Sequence, residues 1–194
     1  MTKISKKNRF LILCIAFLLG ILYLTPLWSI RLVAPQYPEG MGMYLWASKI
    51  TGHQEFDLKN INILNHYVGM DPIVEESIPE FHYMPYVLGF MILGAVVTFI
   101  LGWRLLVYLG LLNLSLVGMA GFYDFWRWEY NYGHHLNPDA PISIPGMVYQ
   151  PPLIGCKQLL NITSCSTPHI GGVLLLVVGL ILGFVLYSEG RKKA

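Results

Sequence analysis

Charge is what this sequence has least of. Of its 194 residues only 12% are Asp, Glu, Lys or Arg, where ordinary soluble domains carry about 25%. Cysteine is scarce too: three residues exclude a disulfide-dense secreted scaffold. The sequence has no C-x-x-C-H, so a covalently attached c-type haem is not signalled. It also lacks a Walker A motif, a G-x-G-x-x-G after a strand and H-E-x-x-H. No histidine lies within a long apolar run, which argues against a b-haem held between membrane helices. No charged residue sits near the middle of such a run, which argues against a pump or secondary transporter. Nothing points to a nucleic-acid partner.

What remains is apolar. Hydrophobic residues make up 55% of the chain and the mean hydropathy is +0.53. Four runs are long enough to cross a bilayer, which takes roughly 20 helical residues. They fall at about 10–30, 85–103, 105–126 and 170–187. The expected fold is therefore an all-α membrane protein, a single membrane domain over 1–194 with four transmembrane helices. The first run follows Lys3, Lys6, Lys7 and Arg9 but is longer than a signal-peptide core and has no A-x-A-like site, so a retained anchor is expected.

Lys and Arg orient the chain. Eight of the thirteen (Lys3, Lys6, Lys7, Arg9, Arg104, Arg191, Lys192 and Lys193) fall on one side of this layout. The positive-inside rule makes that side cytoplasmic, with both termini on it. Two long exported loops, about 31–84 and 127–169, are then expected to form one small periplasmic cap. Short surface helices are expected in the first and mostly irregular chain in the second.

All six histidines fall in these loops, with most of the methionines and two cysteines. Thioether and thiolate ligands select Cu(I), and imidazole suits several transition metals. Histidine also avoids lipid simply because it is polar, so the segregation by itself favours a metal only weakly. Spacing adds candidates. In DLKNINILNHYVGM, His66 and Met70 stand at i, i+4 and would share a helix face. Met41 and Met43 bracket a glycine and point the same way if the chain is extended. Asp124, Glu129 and His134 follow the third apolar run, where acidic residues near a membrane helix end are site candidates by default. Packing is the competing reading for each methionine, and Arg127 is a plain partner for Asp124 or Glu129. Cys156 and Cys165 lie nine positions apart in an oxidising compartment, where a disulfide is the expectation. Free thiols for Cu(I), or neither, remain alternatives. No catalytic residue is singled out, and an enzyme is the less favoured class.

The run YDFWRWEYNYGHHLNPDAPISIPGMVYQPPLIG, from Tyr123 to Gly155, together with LKNINILNHYVGM, resembles the NosB-like small membrane proteins encoded beside nitrous oxide reductase. The resemblance implies a copper-handling or assembly setting in a bacterial inner (cytoplasmic) membrane, facing the periplasm, in denitrification. It implies an accessory factor for the maturation or support of a periplasmic copper enzyme, with copper as the cofactor handled. A cuproenzyme or copper chaperone would be the partner, beside membrane lipid. It supplies no ligands to carry over. Two other classes stand beside it: a non-metal anchor or docking subunit for a periplasmic redox partner, and a membrane metalloenzyme using Asp124, Glu129 and His134.

Overall fold

The computed structural model describes residues 2–191; Lys192 and Lys193, used above to orient the chain, lie outside them. The expectation of an all-α fold is overturned. Among the described residues, five α-helices and a short 3-10 helix (Glu75–Ser77) accompany a five-stranded antiparallel sheet. The helices are α1 (Lys6–Ile21), α2 (Asp57–Val68), α3 (Glu80–Leu101), α4 (Arg104–His134) and α5 (Ile170–Arg191). The strands are β1 (Trp28–Ala34), β2 (Tyr37–Leu45), β3 (Ile50–Gly52), β4 (Gly155–Leu159) and β5 (Ile162–Pro168), in the order β3-β2-β1-β5-β4.

The first apolar run is where the expectation failed. Its helix stops at Ile21, and Trp28–Ala34 is strand. Trp28, Ile30, Leu32 and Ala34 alternate with Ser29, Arg31 and Val33, a period of two that suits one buried sheet face and not a helix. Hydropathy summed over the run hides that change of period. The second segment is equally not irregular throughout: residues 155–168 form the β4–β5 hairpin. Because β1 pairs with β5, the two long segments are joined in one sheet.

Among the described residues, three helices are long and apolar enough to cross a membrane: α3, α4 and α5. The 16-residue α1 packs beside α3 and α5, and α4 closes the group against the same two. Ile12, Ile15 and Leu19 of α1 meet Leu88, Val107, Val178 and Leu182 in its core. One end of this bundle is tied together. The Ile4 N–H donates to the Gly102 carbonyl at 2.8 Å, and the Arg104 N–H to the Thr2 carbonyl at 3.0 Å. The Ser5 N–H and the Asn8 amide both donate to the buried Glu189 carboxylate, while Arg9 donates to the Phe99 and Ile100 carbonyls. The sheet and α2 lie at the other end, where α1 leads into β1 and β5 into α5.

α4 links the two halves. Its 31 residues extend about 46 Å at 1.5 Å each, against roughly 30 Å of hydrocarbon in a bilayer. The last ten or so residues therefore project beyond a membrane's thickness and pack under the sheet. Phe125, Trp128 and Tyr132 join the core of that half with Ile30, Met41, Met43 and Ile61. Trp128 stacks on Phe125 and packs at a tilt on Tyr132, with ring centroids 6.3 and 4.6 Å away.

Cys156 and Cys165 sit opposite each other on β4 and β5 and are joined by a disulfide. Cys14, in α1, is free and exposed, not the buried small hydrophobe its apolar neighbours suggest. Since β4 is an edge strand held by one neighbour, closing this short loop should stabilise it by about 2–3 kcal/mol. Replacing both cysteines by serine is expected to speed amide exchange in β4 while leaving α3 and α5 unchanged. Unaltered β4 protection would remove the disulfide from the account of the sheet's stability.

Candidate functional site

Between the inner face of the sheet, α2 and the end of α4 lies a cavity of about 70 Å³. Its walls are mostly apolar: Ile30 and Leu32 from β1, Ile61 and Leu64 from α2, Ile73 beyond it, and Leu159 and Ile162 from the β4–β5 hairpin. Polar or sulfur-bearing side chains interrupt them: Met43, Asn65, Met70, Trp128, Glu129, Tyr132 and Tyr149, of which Met43, Met70, Glu129 and Tyr149 matter most.

Each is fixed by local structure. Met43 faces inward because β2 is extended: Met41 and Met43, opposite Leu32 and Ile30, occupy the same face and are both buried. Only Met43 reaches the cavity; Met41 packs in the neighbouring core. Met70 comes in by a different route from the one its spacing suggests. α2 ends at Val68, and Gly69 takes φ +82°, a left-handed cap that glycine adopts without strain. The chain turns there, the Met70 N–H donates to the Asn65 carbonyl at 2.8 Å, and Met70 swings inward while His66 stays exposed on the helix. The expected His66–Met70 chelating pair is therefore not formed. Asn62 holds the following turn from both sides, donating to the Ile73 carbonyl and accepting from its N–H.

Glu129 is the exceptional group. It is completely buried, and neither carboxylate oxygen has a hydrogen-bond partner among the described residues. Burying a carboxylate disfavours its charged form, and here burial alone pushes Glu129 up to about 8. Tyr149 is also buried, with its hydroxyl unpartnered among the described residues. Its backbone N–H donates to the Gly133 carbonyl at 3.0 Å, which hangs the 149–153 stretch on the last turn of α4. The Trp128 indole N–H, which also lines the cavity, is likewise buried without a partner among the described residues. Native proteins leave few buried polar groups unsatisfied, so three around one cavity mark it as the candidate site.

The other expected ligands lie elsewhere. Asp124 faces Glu80 of α3 and Arg127 of its own helix. His134 stacks on Tyr130 at 3.8 Å, its Nδ1 within 2.9 Å of the Tyr130 carbonyl. Five residues apart on a helix means about 140° of rotation, so Asp124, Glu129 and His134 diverge around α4. Among the described residues no three His, Cys, Asp or Glu side chains come together to hold a metal ion. On the sheet's other face, His53 lies over Gly42, bonds Ser29 Oγ at 3.0 Å and packs on Tyr44 at 4.1 Å. Burial holds it below the usual imidazole value.

No protein-family model matches this chain, and no curated protein matches it. Tyr149 was missed from sequence because nothing in GMVYQPP marks one tyrosine among twelve as buried beside a carboxylate.

Proposed function

We propose that the protein is a membrane-anchored accessory factor that supports the maturation of a periplasmic copper enzyme of the nitrous oxide reductase type. In this reading α3, α4 and α5 hold it in a bacterial inner membrane, with the sheet on the periplasmic side. The clustering of Lys3, Lys6, Lys7, Arg9, Arg104 and Arg191 at the opposite end supports that orientation. The observation that carries the copper part is the meeting of Met43, Met70 and Glu129 at one cavity, from three elements distant in sequence. Thioethers favour Cu(I) over harder ions.

The test is copper loading of the enzyme itself. In a host making a nitrous oxide reductase-type enzyme, loss of this protein is expected to lower copper per enzyme chain severalfold, measured by elemental analysis of the purified enzyme. Full loading without it would end the accessory reading.

A docking subunit is favoured by a different observation. Tyr123, Trp126, Tyr130 and His134 form a continuous, largely exposed aromatic strip along α4, with neighbouring centroids 6.1, 5.4 and 3.8 Å apart. Tyrosine and tryptophan are enriched at protein interfaces. Replacing Trp126 and Tyr130 by alanine, with the cavity untouched, separates the two readings: only docking predicts a loss of enzyme loading.

A further inference from the structure

We infer that the cavity under the sheet is a binding site for one monovalent soft cation, coordinated by the sulfurs of Met43 and Met70 and neutralised by the Glu129 carboxylate. This deepens the accessory reading and rests on it only for the choice of a physiological ion. Charge makes the first selection. An ionised carboxylate in an apolar enclosure is strongly disfavoured unless an opposite charge joins it. No basic side chain lines this cavity. A single positive charge brings the site to neutrality, whereas a divalent ion would leave an excess positive charge among Ile30, Leu32 and Leu159.

Ligand softness gives the second selection. Sodium and potassium bind through oxygens, and this cavity offers one carboxylate, the phenols of Tyr132 and Tyr149 and the Asn65 amide. Asn65 Nδ2 donates to the Asp71 carbonyl at 3.3 Å and the Tyr132 hydroxyl to the Pro72 carbonyl at 3.1 Å, which fixes both side chains. Two thioethers instead match Cu(I) and its redox-inert analogue Ag(I). Size is the third. The space of about 70 Å³ exceeds the 10–15 Å³ that one water needs yet is far below the roughly 300 Å³ at which small-molecule pockets begin. An ion fits, and an organic ligand does not.

Positioning points the same way. Met70 is held by its N–H bond to Asn65 and by the Asn62 clamp on Ile73. Met43 is held by the register of β2 against β1, opposite Ile30. Two flexible side chains thus start from fixed backbone on two different elements.

The experiment is a titration of the purified full-length protein carrying Cys14→Ser, which removes the free thiol that would itself take Ag(I), in detergent micelles with Ag(I), against a competing chelator, without air. One Ag(I) per chain is expected, displaced by Cu(I) and not by Zn(II). Met43→Leu, Met70→Leu and Glu129→Gln are each expected to weaken binding about tenfold or more. Met41→Leu is the matched control: it makes the same exchange on the same strand face, outside the cavity, and should bind as the parent does. So should His66→Ala and His134→Ala. Leucine conserves the volume of methionine closely, and an unchanged circular dichroism spectrum verifies that each variant is folded. No Ag(I) uptake, uptake insensitive to Met43→Leu and Met70→Leu, or equally tight Zn(II) at the same residues would each overturn the site. Because this readout is binding to the isolated chain, it fails or succeeds independently of enzyme loading in the host.

Discussion

Glu129→Leu is expected to make the metal-free protein more stable, and by more as the pH rises. The Glu129 carboxyl titrates near 8 in the fold against an ordinary 4.5. Below about pH 4.5 both folded and unfolded chains hold the proton, and the group contributes no difference. Between 4.5 and 8 the unfolded chain releases it while the folded chain keeps it, so stability falls as pH rises through that window. Above about 8 the fall levels off. A separation of this size corresponds to about 3–5 kcal/mol, a large share of the stability of a small domain. Leucine cannot ionise and suits the apolar walls, so the variant should lose this slope. Thermal unfolding of parent and Glu129→Leu in detergent at pH 5 and pH 8 measures it. A gap between the two proteins that does not widen at pH 8 would show that Glu129 is solvated or paired. A binding group retained at a cost to stability is a familiar pattern at functional sites.

The second large effect is expected at Gly133, in the last turn of α4. A Cβ there would lie 2.4 Å from the Gln150 backbone nitrogen and 2.5 Å from its Cα. Both are main-chain atoms, so the strand of chain carrying Tyr149 would have to move. Gly133→Ala should cost about 2 kcal/mol or more and break the bond from the Tyr149 N–H to the Gly133 carbonyl, opening one wall of the cavity. Faster amide exchange at Tyr149 and a lower unfolding midpoint are the readouts. Gly118→Ala, on the same helix with nothing within 4 Å of the new atom, should be neutral or slightly stabilising, since alanine favours helix over glycine by up to about 1 kcal/mol. Equal behaviour of the two variants would mean that the contact at Gly133 is not tight.

Much of the site was partly legible. Met43, Met70 and Glu129 all stand out in sequence as metal-competent groups outside the apolar runs, yet their partners do not. His66 and Met70 share a face only while the helix continues. Gly69 ends it one residue before Met70, and a single glycine in NHYVGM can be read as either helix interior or cap. Asp124, Glu129 and His134 are near one another in sequence, but α4 is helical through His134 and rotates them apart. Tyr149 gives no signal because its burial depends on a loop crossing Gly133.

The sequence by itself determined that α3, α4 and α5 could cross a membrane, since a sustained apolar run specifies its own helix through local backbone bonding. It also determined that the basic residues gather away from the histidines. Tertiary structure decided that Trp28–Ala34 is a strand, because a half-apolar strand is stable only beside partners, and those partners, β2 and β5, lie some ten and more than a hundred residues away. It decided as well that Met43, Met70, Glu129 and Tyr149 surround one cavity. Those four come from a strand, a turn, a helix and a loop, and only packing of the sheet on α2 and α4 brings such distant residues to a common space.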